Sequence, residues 1–112
     1  MDEAFEAEWN IVVSRIEKQF GEDIDLQGIL FLVGVQELGQ GNRAFSKDEK
    51  LNVMHIAICT LLNRYGYYEF EGEDEEGWPH WRATEKLPSL KPGQQLRLMK
   101  EALIEYFKEE GM

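Results

Sequence analysis

The sequence predicts a mainly all-α fold, a compact four-helix domain over residues 1–112 with a short β-hairpin-like insert between the third and fourth helices. Three observations predict it. Apolar residues recur at steps of three and four in four segments, the period of a helix face. Glycines and capping residues punctuate those segments where helices start and stop. Residues 66–85 abandon the helical period, and aromatic and acidic residues alternate there instead.

The first helix is expected over about residues 2–20. Phe5, Trp9, Val12, Val13, Ile16 and Phe20 form its apolar stripe, acids fill its first turn, and Gly21 offers a left-handed stop. The second, about 25–39, can be capped by Asp25. It carries Leu26, Ile29, Leu30, Phe31, Leu32, Val33, Val35 and Leu38, so little polar face remains and burial is expected. Gly39-Gln-Gly-Asn42 breaks it. The third, about 46–65, opens on the capping-box spacing Ser46-Lys-Asp-Glu49. Leu51, Met54, His55, Ile58, Leu62 and Tyr65 follow on one stripe, with Ile56, Ala57 and Leu61 beside it, and Gly66 ends the run. The fourth, about 92–109, is opened by Ser89 and Pro92 and has Leu96, Met99, Ala102, Leu103, Tyr106 and Phe107 on its inner face.

Within the insert, about 66–85, Gly66-Tyr-Tyr-Glu-Phe-Glu-Gly72 and Trp78-Pro-His-Trp-Arg-Ala-Thr84 read as two strands. A register facing residue 71 with 78 sets 69 against 80 and 68 against 81. Tyr68, Phe70, Pro79 and Trp81 then share an apolar face that can dock on the helices, while Glu69, Glu71, His80 and Arg82 share a polar one with Trp78. The tip, Glu73-Asp-Glu-Glu-Gly77, is expected to be solvated, mobile charge.

Composition bounds the chemistry. Twenty-two acidic against 12 basic side chains give a net charge of −10, which repels phosphate backbones and disfavours nucleic acid. A winged-helix reading fails for the same reason, since its wing would carry Glu69, Glu71, Glu73, Asp74, Glu75 and Glu76. No apolar run approaches the roughly 18 residues of a membrane span, and the acidic opening differs from a basic signal peptide, so a cytoplasmic setting is expected. The single cysteine, Cys59, permits no internal disulfide and no CxxC knuckle.

Several constellations invite chemistry. Placing Gly77 at the sixth position of an EF-hand loop puts Ala83 where the bidentate glutamate belongs, so the calcium motif fails; a looser cation site of Glu71, Glu73, Asp74 and Glu76 competes with simple solvation. His55 and Cys59, four apart, could share a metal with His80 as a third ligand, but core packing is the simpler account. Glu69 opposite His80 would make a carboxylate–imidazole dyad able to act as a general base, with no nucleophile beside it; a cross-strand pair is simpler. Gly39–Ser46, with Arg43, could cradle an anion, yet it lacks the Gly-Lys-Ser/Thr ending of a phosphate loop.

The strings Gly34-Val-Gln-Glu-Leu-Gly39, His55-Ile-Ala-Ile-Cys-Thr-Leu-Leu62, Gly66-Tyr-Tyr-Glu-Phe-Glu-Gly72 and Gly77-Trp-Pro-His-Trp81 resemble a family of small uncharacterised bacterial proteins. The resemblance implies a bacterial cytoplasmic setting and no particular activity. The leading expectation is a non-enzymatic interaction or scaffold domain without cofactor. Its surface of Glu69, Glu71, Trp78, His80, Trp81 and Arg82 would meet a protein partner or a second copy, with an outward Trp78 as its motive. The alternative is a small enzyme or metal-binding protein using His80, Glu69 and Glu37.

Overall fold

The computed structural model describes residues 3–40 and 43–110. Their elements run α1 (Glu3–Phe20), α2 (Leu26–Leu38), α3 (Lys47–Asn63), β1 (Tyr68–Glu73), β2 (Pro79–Ala83) and α4 (Pro92–Glu110). The chain is therefore mainly helical with a two-stranded antiparallel sheet between α3 and α4, as the patterning predicts. No helix among the described residues is long and apolar enough to cross a membrane. Its contacts divide into two units, one of residues 1–25 with 90–112, the other of residues 26–89.

The first unit pairs α1 with α4. Trp9, Val12 and Ile16 of α1 are buried, as are Ala102, Leu103, Ile104, Tyr106 and Phe107 of α4. Between the two helices, the Arg97 guanidinium lies 4.2 Å over the Phe5 ring, and Lys108 Nζ stands 3.6 Å from Glu8 Oε2. Gly21 takes φ +105° and donates its N–H to the Glu17 carbonyl, the expected left-handed stop. Two expectations fail at the helix ends. Phe20 and Leu96 are exposed. Pro92 is the first helical residue of α4, but the preceding cap is Lys91, whose N–H donates to Gln94 Oε1 at 3.0 Å, and Ser89 takes no part in it.

In the second unit α2 packs along α3, and the hairpin packs on α3. Gly34 sets the α2–α3 approach. A Cβ there would sit 2.1 Å from the Val53 carbonyl oxygen, so only glycine permits the backbones this close. Helix α3 begins on the predicted capping box: Ser46 Oγ accepts from the Glu49 N–H while Glu49 Oε1 accepts from the Ser46 N–H. Its buried residues are Val53, Ile56, Ala57, Cys59, Leu61 and Leu62. That corrects the expected stripe, since Leu51 is 56% exposed and His55 is also exposed. A helix apolar around most of its circumference offers periodicity no single inner face, and packing partners decide.

The hairpin pairs Tyr68 with Ala83, Glu69 with Arg82 and Phe70 with Trp81, then slips at Glu71 to pair Gly72 with His80 and Glu73 with Pro79. The expected register was two residues out before the bulge. A two-residue shift preserves which side chains share a face, so Phe70 and Trp81 still lie together, ring centroids 5.3 Å apart. Glu71 is the extra residue of the bulge.

Candidate functional site

Helix α3 and the hairpin enclose an open groove of about 390 Å³. Glu49, Asn52, His55 and Ile56 line it from α3, and Asp74, Glu76, Trp78, Pro79, His80 and Trp81 from the hairpin. Contacts that tie the stem to α3 include a hydrogen bond and a ring contact at Tyr68. Asn63 Nδ2 donates to the Tyr68 carbonyl at 2.8 Å, and the His55 and Tyr68 rings meet edge-on at 6.3 Å.

The tip's acids, Glu73 to Glu76, are exposed as expected, and hydrogen bonds order the loop around Asp74. Asp74 and Trp78 close the loop, with Asp74 N donating to the Trp78 carbonyl at 2.9 Å and Gly77 N donating to the Asp74 carbonyl at 3.0 Å. Gly77 takes φ +85°, the left-handed residue that a three-residue hairpin loop needs. The Asp74 carboxylate then works on both sides. Its Oδ1 accepts from the N–H groups of Glu76 and Trp78 at 2.9 and 3.0 Å, and its Oδ2 lies 2.9 Å from His80 Nε2. The His80 hydrogen bond first, and the Trp78 amide after it, hold the Asp74 carboxyl below its ordinary range.

Gln40 joins this tip to the α2–α3 connection. Its Nε2 donates to the Glu76 carbonyl at 3.1 Å, and its Oε1 accepts from Arg43 Nη1 at 2.8 Å. Arg43 also pairs with the Glu49 carboxylate, and its guanidinium carbon lies 4.7 Å from the Phe45 ring centroid and 5.8 Å from that of Trp78. The Ser46 amide, followed by Arg43, lowers the Glu49 carboxyl. In this connection Arg43 is engaged by the protein's own Gln40 and Glu49 side chains; Gly41 and Asn42 of the supposed cradle lie outside the described residues.

The predicted site residues fall into two groups. His80, Trp78 and Trp81 line the groove. Glu69 and Glu71 lie outside its lining and both face Arg82, Glu69 in an ion pair and Glu71 at 3.6 Å. The Glu69–His80 dyad is thus overturned, because the register gives Glu69 to Arg82 and the tip gives His80 to Asp74. Trp78 is also corrected. It is half-buried and packs on the cluster of Leu38, Val53 and Ile56, with its ring edge-on to Phe45 at 6.5 Å. It forms the groove's inner wall instead of an outward anchor. Phe70, expected to dock, is 53% exposed and supplies the outward aromatic. Glu37, also exposed, is not among the groove residues.

Cys59 is fully buried, and its Sγ lies 3.4 Å from His55 Nε2. Burial pushes the thiol up to about 11. Burial and then Cys59 raise the Tyr68 hydroxyl as well. Among the described residues no group of three or more His, Cys, Asp or Glu side chains could hold a metal ion. The Trp81 indole N–H is enclosed and meets no acceptor among the described residues.

Asp74, Glu76, Glu49, Asn52 and Gln40 were missing from the predicted surface. For Asp74 the signal was present: Asp-Glu-Glu-Gly is the i to i+3 signature of a tight turn, in which the aspartate binds amides ahead of it. No family model matches this chain, and neither a curated protein nor a solved structure matches it.

Proposed function

We propose that this protein is a non-enzymatic interaction domain that receives a protein partner in the groove between α3 and the hairpin. The observation that carries the reading is the groove itself, open and walled by Trp78, Pro79 and Trp81 with carboxylates and imidazoles around them. Phe70, exposed against Trp81, continues the aromatic strip onto the surface. Glu69, Glu71 and Arg82 make a polar rim that favours registration over affinity. A net charge of −10 disfavours nucleic acid as the partner. The family resemblance supports a bacterial cytoplasmic setting.

A photo-crosslinking residue placed at Phe70 in the native host tests the reading. A discrete adduct is expected, its mass separating a distinct partner from a second copy, and the same probe at Ser14 of α1 should not produce it. Absence of any adduct specific to position 70 defeats the proposal.

A second reading, a small hydrolytic or proton-transfer enzyme, draws on the Asp74–His80 contact, which fixes an imidazole at the groove as a general base would require. Among the described residues the groove lining offers no serine, threonine, cysteine or lysine, so this reading assigns the nucleophile's part to a water activated by His80. Turnover of a generic ester panel abolished by His80→Gln would favour this reading; equal rates in both proteins would remove it.

A further inference from the structure

We infer that the groove's ligand is an arginine side chain on an extended, basic segment of a partner protein, which deepens the interaction reading and rests on it. Among the described residues the lining contains Glu49, Asp74 and Glu76 but no lysine or arginine, and the Arg43 guanidinium at its edge is paired with Glu49. The three carboxylates are unequal. Glu49 is engaged by Arg43 and the Ser46 amide, and Asp74 by His80 and two amides. Glu76 is exposed, and its carboxylate makes no hydrogen bond or ion pair among the described residues. It is the acceptor left for an incoming donor.

The protein already displays the recognition chemistry at the groove's edge. Arg43 sets its guanidinium on a carboxylate of the lining, Glu49, while covering Phe45 and approaching Trp78. A partner's guanidinium would repeat that combination one step along, on Glu76 with the indoles of Trp78 and Trp81 beside it. Arginine suits this arrangement better than lysine, because a planar fork can stack on an aromatic and donate in its own plane at once. The volume, about 390 Å³, lies at the small end of the roughly 300–1,000 Å³ of small-molecule pockets and suits a side chain. Phe70 and Glu71 stand next along the strand for residues flanking the arginine, and the net charge of −10 draws a basic segment in.

The test is a titration of the full chain, followed by amide and indole N–H resonances, with three unstructured peptides in which arginine, lysine or glutamate alternates with glycine. The arginine peptide is expected to shift Glu76, Trp78, His80 and both Trp78 and Trp81 indoles, and to bind more tightly than the lysine peptide. Glu76→Gln should weaken it about tenfold, the loss of one charge-assisted contact, whereas Glu3→Gln, the same charge change on α1, should leave affinity within about twofold. Equal losses in the two variants would mean nonspecific attraction and overturn the inference. Shifts confined to residues outside the groove would overturn it as well. Groove shifts produced by the glutamate peptide and not the arginine peptide would overturn the arginine assignment while leaving the interaction reading standing; no shifts from any peptide, with no crosslink at position 70, would remove both.

Discussion

Both oxygens of the Asp74 carboxylate are engaged, one by two backbone amides and the other by His80, and the consequence is a pH dependence with a defined sign. The folded carboxyl lies below its ordinary value of 3.8, so the unfolded form takes up its proton first as pH falls. Its contribution is complete above 3.8 and disappears as pH falls through the folded value. The Asp74 side-chain carbon resonance should therefore titrate below 3.8; titration at or above it would contradict these contacts. Gly34 gives a second prediction. Alanine there gains helix propensity of about 1 kcal/mol, but its Cβ meets a backbone oxygen that cannot swing aside, so Gly34→Ala should lose on the order of 3 kcal/mol net in urea unfolding. Cys59 supplies a third: buried and with its thiol raised to about 11, it should react with a thiol reagent only as fast as the structure opens, and immediate labelling of native protein would refute its burial. Among these residues the Ser46 cap was legible because its partners lie three residues apart. His80's partner was not, because it depended on a turn whose geometry had to be chosen before any register could be drawn.

At the level of elements, the hairpin shows what alternation can and cannot specify. Period-two patterning sorted Phe70 and Trp81 onto one face and Glu69 and Arg82 onto the other, and that sorting survived a register error of two residues although the expected pairs did not. The bulge at Glu71 was beyond it, since one extra residue leaves no mark on composition. Helix α3 shows the converse: its caps were readable and its inner face was not, because Leu51, Met54 and Ile58 are as apolar as the residues that are buried. Gly77→Ala would force a side chain into the left-handed region at roughly 1–2 kcal/mol. Its effect should be local: amide exchange quickens across residues 73–79 while the core of α3 is unchanged. Equal acceleration in α3 would mean that the hairpin and helix open as one unit.

Across the whole molecule, the mainly helical class, the position of the hairpin and the acidic balance were all legible, because each is written in local period or in composition. The groove was not, since it arises where residues from 40 to 81 converge and no local pattern encodes that convergence. With a net charge of −10 the chain repels itself, and raising salt from about 10 to about 150 mM shortens the screening length from about 30 to about 8 Å. The melting temperature should rise over that range; a fall would mean that the exposed ion pairs, such as Arg82 with Glu69, outweigh the repulsion. The proposed interaction depends most on the groove being built before any partner arrives, with Asp74 holding its outer wall. Native-state amide exchange at Trp78 tests that directly. Protection of the Trp78 N–H is expected in the unliganded protein, and its loss in Asp74→Ala; exchange at the unprotected rate in both proteins would contradict a preformed groove.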